Sequence, residues 1–165
     1  MSVDPPVAPK PGHPILDVLV DGFDYDMSMG EHVVRLDADQ MVGFVGEAKS
    51  VGFESCMELT VVDYYRRRPV RYELVLVLLS RKHNLRLRIM VPVDEEKPIV
   101  PSLTELYPGT GFFEREVFDM FGISFEGNPD MTRILMPDDW VGHPLRKDFS
   151  VGSVPVQFRD AHKVT

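Results

Sequence analysis

Val70-Arg71-Tyr72-Glu73-Leu74-Val75-Leu76-Val77-Leu78-Leu79 is nearly all apolar beyond Glu73, and its reading decides the fold. A run of this length rich in Leu and Val reads as a central strand buried on both faces. Ser80 to Asn84 follows as a polar turn. Leu85, Leu87, Ile89 and Val91 then alternate with Arg86, Arg88 and Met90, which predicts a half-buried strand with its arginines on the other face. Upstream, Phe53 to Tyr65 is apolar and β-branched and reads as a third strand. Glu31 to Leu36, with Val33-Val34 at its centre, reads as the first strand.

Between these strands lies a helix signature. Asp37 and Gln40 have the spacing of a capping box, Met41, Phe44, Val45, Ala48 and Val51 fall at helical spacing, and Gly52 ends the run. Gly43 and Gly46 lower helix propensity by about 1 kcal/mol each, so packing must hold this helix. A strand, a helix and an antiparallel meander place the chain in the α+β class. The expected architecture is an antiparallel or mixed sheet of about four strands, helices on one side, and a long irregular C-terminal extension. Ile15 to Val20 is where order begins.

Downstream, Pro92 to Pro101 is a proline- and acid-containing connection. Ser102 and Glu105 are a second capping-box candidate, for a short helical turn stopped at Pro108-Gly109. Phe112 to Phe121 reads as a helix with Phe113, Val117, Met120 and Phe121 as its apolar stripe and Gly122 as its C′ residue. After Gly122 neither period persists, and Pro129, Pro137, Pro144 and Pro155 space the remainder. A stretch of roughly forty residues without periodicity is too long for an ordinary loop. Its aromatic residues and the Ile134-Leu135-Met136 run are unlike the composition of disordered chain, so it reads as laid over another surface. The division expected is a disordered lead-in over 1–14, an α+β domain over 15–122, and an extended segment over 123–165 that packs on a partner subunit.

Charge and composition exclude several functions. The net charge of -8 argues against nucleic acid and anionic lipid as main partners. The basic run Arg66-Arg67-Arg68 reads as a solvated loop tip between two strands. With Cys56 as the one cysteine, no disulfide forms within the chain and no four-thiolate cluster is held by it alone; Cys56 reads as a small core residue. No run of ~18 apolar residues predicts a membrane-spanning helix. Met1 to Pro14 has five prolines and the pattern of neither a secretory signal nor a transit peptide, so the chain is expected to be intracellular.

Candidate chemistry is sparse. Glu114, Glu116 and Asp119 are possible catalytic carboxylates; positions 116 and 119 share a helix face, and Arg115 is spaced to pair with Asp119. Acids in a first helical turn have a plainer explanation in the macrodipole. Gly109-Thr110-Gly111 fails as a dinucleotide loop, because Glu114 stands at the last glycine position and no strand precedes it. His13, His32, His83, His143 and His162 are scattered, without metal-ligand spacing.

The run from Glu114-Arg115-Glu116-Val117-Phe118-Asp119-Met120-Phe121-Gly122-Ile123, through Arg133-Ile134-Leu135 and Asp139-Trp140, to Gly142-His143-Pro144-Leu145-Arg146-Lys147-Asp148-Phe149 resembles a family motif. It is that of the thirty-kilodalton subunit, also called the C subunit, of respiratory complex I, the proton-pumping NADH:quinone oxidoreductase. Pro101-Ser102-Leu103-Thr104-Glu105-Leu106-Tyr107-Pro108-Gly109 resembles the family too. The likeness is specific over about 98–149 and looser, in element order, over about 31–97. Asn128 stands where many members have His, and Thr132 where many are basic. The resemblance implies a cofactor-free structural subunit of the hydrophilic arm, with no catalytic residues and no metal site, at the cytoplasmic face of the cell membrane. FMN and the iron–sulfur clusters would reside in partner subunits. The implied partners are the forty-nine-kilodalton quinone-site subunit, the cluster-bearing small subunit and other hydrophilic-arm subunits, with no nucleic acid and no membrane insertion. Glu114, Arg115, Glu116, Asp119, Arg133, Trp140, Pro144, Leu145, Arg146, Lys147 and Asp148 are the family-motif and interface residues it implies, with Trp140 and Arg146 as anchors on the quinone-site subunit. Related subunits occur in membrane-bound hydrogenases and in ferredoxin- or deazaflavin-linked dehydrogenases, and the residues do not choose between electron donors.

Overall fold

A computed structural model describes residues 11–150, so Met1 to Lys10 of the expected lead-in and the last fifteen residues of the extended segment lie outside the described residues. The elements are α1 (Pro14–Leu19), β1 (Asp24–Ser28), β2 (Glu31–Arg35), α2 (Ala38–Ser50), β3 (Ser55–Asp63), β4 (Tyr72–Ser80), β5 (Leu85–Val93), β6 (Ile99–Pro101), α3 (Thr110–Phe121) and β7 (Ser124–Glu126). The fold is α+β. Five strands in the order β1-β2-β5-β4-β3 form one mixed sheet, with β2 and β5 parallel and every other pairing antiparallel. The short strands β6 and β7 form a parallel pair beside it.

One core joins the helices to one face of the sheet. Met41, Phe44, Val45 and Ala48 of α2 and Val117, Met120 and Phe121 of α3 pack with Leu59, Leu74, Leu76, Leu78, Leu87 and Ile89. This contact holds α2 despite Gly43 and Gly46. At its start the capping box forms, with the Asp37 N–H donating to Gln40 Oε1 at 3.0 Å. At its end Gly52 takes φ +110° where a Cβ would crowd the His83 ring.

Two expectations are corrected, and one strand joins the about four expected: Asp24-Tyr25-Asp26-Met27-Ser28 forms β1, the fifth strand of the sheet, with only Tyr25 buried. Its hairpin turns through Met29 and Gly30, both at positive φ, without the Asn-Gly or Asp-Gly pair that usually announces such a turn. β4 is not buried on both faces: Leu74, Leu76 and Leu78 are buried, while Val75, Val77 and Leu79 are half-buried on the face that carries no helix. The second capping box does not form. Ser102 Oγ instead accepts from the Thr104 N–H and donates to Glu114, and Glu105 is left exposed.

Candidate functional site

α3 is the axis of the family-like motif, and its two buried carboxylates hold the irregular chain on either side. The helix starts at Thr110, two residues before the spacing predicts, so Glu114 lies past the first turn. The macrodipole is therefore not its explanation. Glu114 is fully buried and accepts four hydrogen bonds. The Leu103 N–H and Thr110 Oγ1 donate to Oε1 at 2.8 and 3.1 Å, and Ser102 Oγ and Asn128 Nδ2 donate to Oε2 at 2.8 Å each. A buried carboxylate needs its lone pairs satisfied, and here neutral donors do it. The result ties the 102–110 loop, α3 and the 128 turn into one knot.

Asp119 does the same at the other end of α3, with a cation added. It is fully buried. Its Oδ2 accepts from three successive backbone N–H groups, those of Ile134, Leu135 and Met136, at 3.1, 2.7 and 2.8 Å. Its Oδ1 accepts from Arg133 Nη1 at 2.5 Å. Burial alone pushes the carboxyl upward, but the backbone N–H groups and the Arg133 guanidinium outweigh it and hold Asp119 below its ordinary value. The expected Arg115–Asp119 pair does not form. Arg115 points instead to the Asp130 turn, donating to Thr132 O and Arg133 O, because residues 128–133 fold back across the helix.

The last carbonyls of α3 are taken by the segment that follows. Arg146 Nε donates to Phe121 O at 2.5 Å, the Leu145 N–H to Met120 O at 3.1 Å, and His143 Nδ1 to Asp119 O at 3.0 Å. The final turn of α3 carries no basic residue of its own, so Arg133 and Arg146 supply positive charge at the negative end of the helix from later chain. Gly122 makes the approach possible. It sits at φ +75°, and a Cβ there would lie 2.5 Å from His143 Nε2 and 2.7 Å from Arg146 Nη2. Burial, assisted by Arg146 and Arg133, lowers the His143 pKa against the opposing bond to Asp119 O.

A third charged knot pins the end of the segment to the sheet. Arg71, at the start of β4, is buried and meets Asp63 through two bonds of 3.1 and 3.2 Å, Glu95 at 2.7 Å and Asp148 at 2.6 Å. The Lys147 N–H donates to Asp63 Oδ2 at 2.9 Å. The Arg71 guanidinium also lies 4.6 Å from the ring centroids of both Tyr65 and Tyr72. Burial opposes the charge on Arg71, yet its three carboxylates raise its pKa further.

The structure thus brings Glu114, Arg115, Asp119, Arg133, Leu145, Arg146, Lys147 and Asp148 together around α3 and the end of β3. The Arg146 Nε and the Asp148 carboxylate are engaged within the chain. Glu116 is exposed and stands apart from both knots. Pro144 is half-buried in the turn closed by the Arg146 N–H to His143 O bond at 3.2 Å. Trp140 is half-buried, with its Nε1 enclosed and without an acceptor among the described residues. The segment's outer side displays Leu135, Val141 and Leu145, which are 61%, 87% and 54% exposed. Sequence reasoning gave Ser102 only a capping role and assigned no part in the site to Thr110, Asn128, Asp63 or Arg71. Their only local signal is polarity at the edge of an apolar run, as at Asp63 and Arg71.

A two-layer α+β domain whose buried carboxylates staple irregular chain to one helix defines a class of protein in which charge serves architecture. The chain belongs to the family described as the respiratory-chain NADH dehydrogenase 30 Kd subunit, whose family model matches residues 32–154. It is 40% identical over 154 residues to the C subunit of the NADH-quinone oxidoreductase of Saccharopolyspora erythraea, covering 92% of this chain and 59% of that one. It is 42% identical over 142 residues to the corresponding C subunit of Roseiflexus castenholzii, covering 86% and 81%. The chain spans about half to three-fifths of the length of several of the curated relatives it matches. Among solved structures, the trypsin-resistant fragment of Nqo5 superimposes with a TM-score of 0.64 at 31% identity, over 70% of this chain and 96% of the fragment. A chain of an archaeal membrane-bound sulfane sulfur reductase matches with a TM-score of 0.73 at 24% identity, over 90% and 95%, which is a likeness of fold.

Proposed function

We propose that this chain is a non-catalytic, cofactor-free structural subunit of the hydrophilic arm of a proton-translocating NADH:quinone oxidoreductase, peripheral on the cytoplasmic face of the membrane. Its work is assembly of the quinone-reducing module, against the forty-nine-kilodalton quinone-site subunit and the cluster-bearing small subunit, while electrons pass through FMN and clusters held by its partners. Family membership supports the complex. The observation that carries the structural role is the state of the two α3 carboxylates nearest to catalytic candidacy. Glu114 and Asp119 are fully buried and have four donors each, so neither has a free lone pair aimed at an open cleft. No helix among the described residues is long and apolar enough to cross a membrane. The exposed Leu135, Val141 and Leu145, carried on a segment pinned at both ends, supply apolar contact area at low ordering cost.

The test is recovery of a tagged copy from native membranes. The expected result is co-purification of the other subunits of the oxidoreductase, and loss of NADH:quinone activity from membranes when the gene is deleted, while the purified chain has no absorbance band between roughly 350 and 550 nm after desalting. A flavin or cluster band in the isolated chain, or recovery of the chain alone, would overturn the reading.

A further inference from the structure

We propose that the tip of the β3–β4 hairpin is a docking point for an acidic, apolar-bearing segment of a partner protein. Arg66, Arg67 and Arg68 are three consecutive exposed cations on a chain whose net charge is -8. Arg68 meets Glu73 at 3.5 Å, while among the described residues no carboxylate lies in ion-pair range of Arg66 or Arg67. The tip therefore presents net positive charge on an acidic body.

The tip is also pre-arranged. The Arg67 N–H donates to Tyr64 O at 2.6 Å, and the Tyr64 N–H to Arg71 O at 2.7 Å, closing the turn. Arg66 holds a left-handed backbone, φ +58°, that a non-glycine residue seldom adopts. The Arg68 guanidinium lies 3.9 Å from the Tyr64 ring centroid, and that of Arg66 lies 4.8 Å from the Tyr65 centroid. Stacked guanidinium planes lose less freedom on binding a carboxylate than free ones.

A groove of about 470 Å³ runs from the tip, lined in part by Arg68, Pro69, Val70, Met90 and Pro92, with Arg35 on its other wall. Arg35 is offset by Asp24 and Arg68 by Glu73, and Asp37 also lines the groove, so the groove itself turns away a carboxylate and accepts an apolar side chain, while the unmatched positive charge is that of Arg66 and Arg67 at the tip. Charge complementarity selects the occupant. A membrane surface or a nucleic acid is a broad negative face that would meet the acidic body as well as the tip. A single acidic segment of a protein meets the tip alone.

This inference rests on the reading as a subunit of a complex, and the experiment separates the two. Tagged wild type and the Arg66→Glu/Arg67→Glu double variant are recovered from native membranes across a salt series. In parallel, an Arg67→Lys variant is treated in the complex with a carbodiimide, which couples lysine to carboxylates. The expected result is about tenfold lower recovery of one partner by the double variant at physiological salt, with its melting temperature within about 2 °C of wild type. The lysine introduced by Arg67→Lys then cross-links to an Asp- or Glu-containing peptide of another protein. If the double variant is unstable, Arg66→Gln/Arg67→Gln is read in the same way. Full recovery with the charge removed, or no protein cross-link, overturns the docking point and leaves the subunit reading standing. Binding of wild type, but not the variant, to phosphatidylglycerol vesicles without a protein cross-link overturns it in favour of a membrane. A wild-type chain that brings down no complex at all overturns both.

Discussion

The two ends of α3 solve one problem in different ways. Glu114 and Asp119 are both carboxylates, both fully buried, and both accept four hydrogen bonds. Five residues apart, they point about 140° away from each other around the helix. Glu114 is met by neutral donors, two from the loop that leads into α3, one from the first residue of the helix and one from Asn128 beyond it. Asp119 is met by three backbone N–H groups and a guanidinium, all from chain that follows the helix. The difference lies in what failure leaves behind. Two of the four donors at Glu114 are hydroxyls that can rotate to accept. The donors at Asp119 cannot change role, and one carries a full charge. The N-terminal knot is thus forgiving and belongs to the domain, while the C-terminal clasp is unforgiving and fixes the register of the tail.

Asp119→Asn breaks the comparison hardest. The amide keeps one acceptor, so it cannot face both Arg133 and the 134–136 backbone, and its NH2 would point a donor at a donor. Removing one partner of a buried ion pair costs about 3–5 kcal/mol. The expected outcome is a loss of that order in denaturant unfolding, with fast amide exchange at Ile134, Leu135 and Met136. Unchanged protection at those amides would refute the clasp.

Gly122→Ala attacks the same end without touching a charge. The added Cβ needs the left-handed backbone and the space of the His143 ring and Arg146 guanidinium. A loss of about 1–3 kcal/mol is expected. Thermal melting measures it, and a neutral result would mean the 143–146 turn can lift away at little cost.

Glu114→Gln sharpens the contrast from the other side. The amide oxygen, at the Oε1 position, still accepts from the Leu103 N–H and the Thr110 hydroxyl, and the Ser102 hydroxyl can turn to accept from the new NH2 at the Oε2 position. Only the Asn128 amide must flip or lose its bond. About 1 kcal/mol is the expected loss, clearly below that of Asp119→Asn, and chemical denaturation of the pair checks the ranking. Equal losses would show that the cation at Asp119 adds nothing.

What the sequence could disclose follows from range. β5 and the two long helices were legible because hydrophobic period is local: Leu87, Ile89 and Val91 alternate with Arg88 and Met90, and Val117, Met120 and Phe121 share a helix face; β4 was legible as a strand from its unbroken apolar run, which hides that only one of its faces is buried. β1 was not, since three of its five residues are polar and its turn carries Met29. β6 and β7 are three residues each, too short to show any period. Of the site, the residue types were legible and the pairings were not. Arg115 stands at helical spacing from Asp119, yet the partner is Arg133, and Asp148 reaches Arg71 across 77 residues. Such pairings depend on where an aperiodic segment runs, and neither propensity nor spacing encodes that path.

His143 gives the smallest expected effect, and its sign separates the ends once more. Burial, with Arg146 and Arg133 nearby, lowers its pKa in the fold below the ordinary value of about 6.5. The folded protein therefore favours the neutral ring, which donates through Nδ1 to Asp119 O. A group whose folded pKa is lowered contributes stability that is present above its unfolded pKa and fades as pH falls through the window between the two values. Below that window a third cation would crowd Arg133 and Arg146 at the end of α3. The clasp should loosen on going from pH 7.5 to pH 5, read as faster exchange at Leu145 and at 134–136, while the amide of Leu103, held by Glu114, keeps its protection relative to the intrinsic rate. In His143→Gln, whose side-chain amide can still donate to Asp119 O, the pH dependence at the clasp should flatten and the Leu103 amide should not change. If wild type and His143→Gln lose protection at 134–136 in parallel as the pH falls, the titrating group lies elsewhere in the clasp and His143 is only a donor.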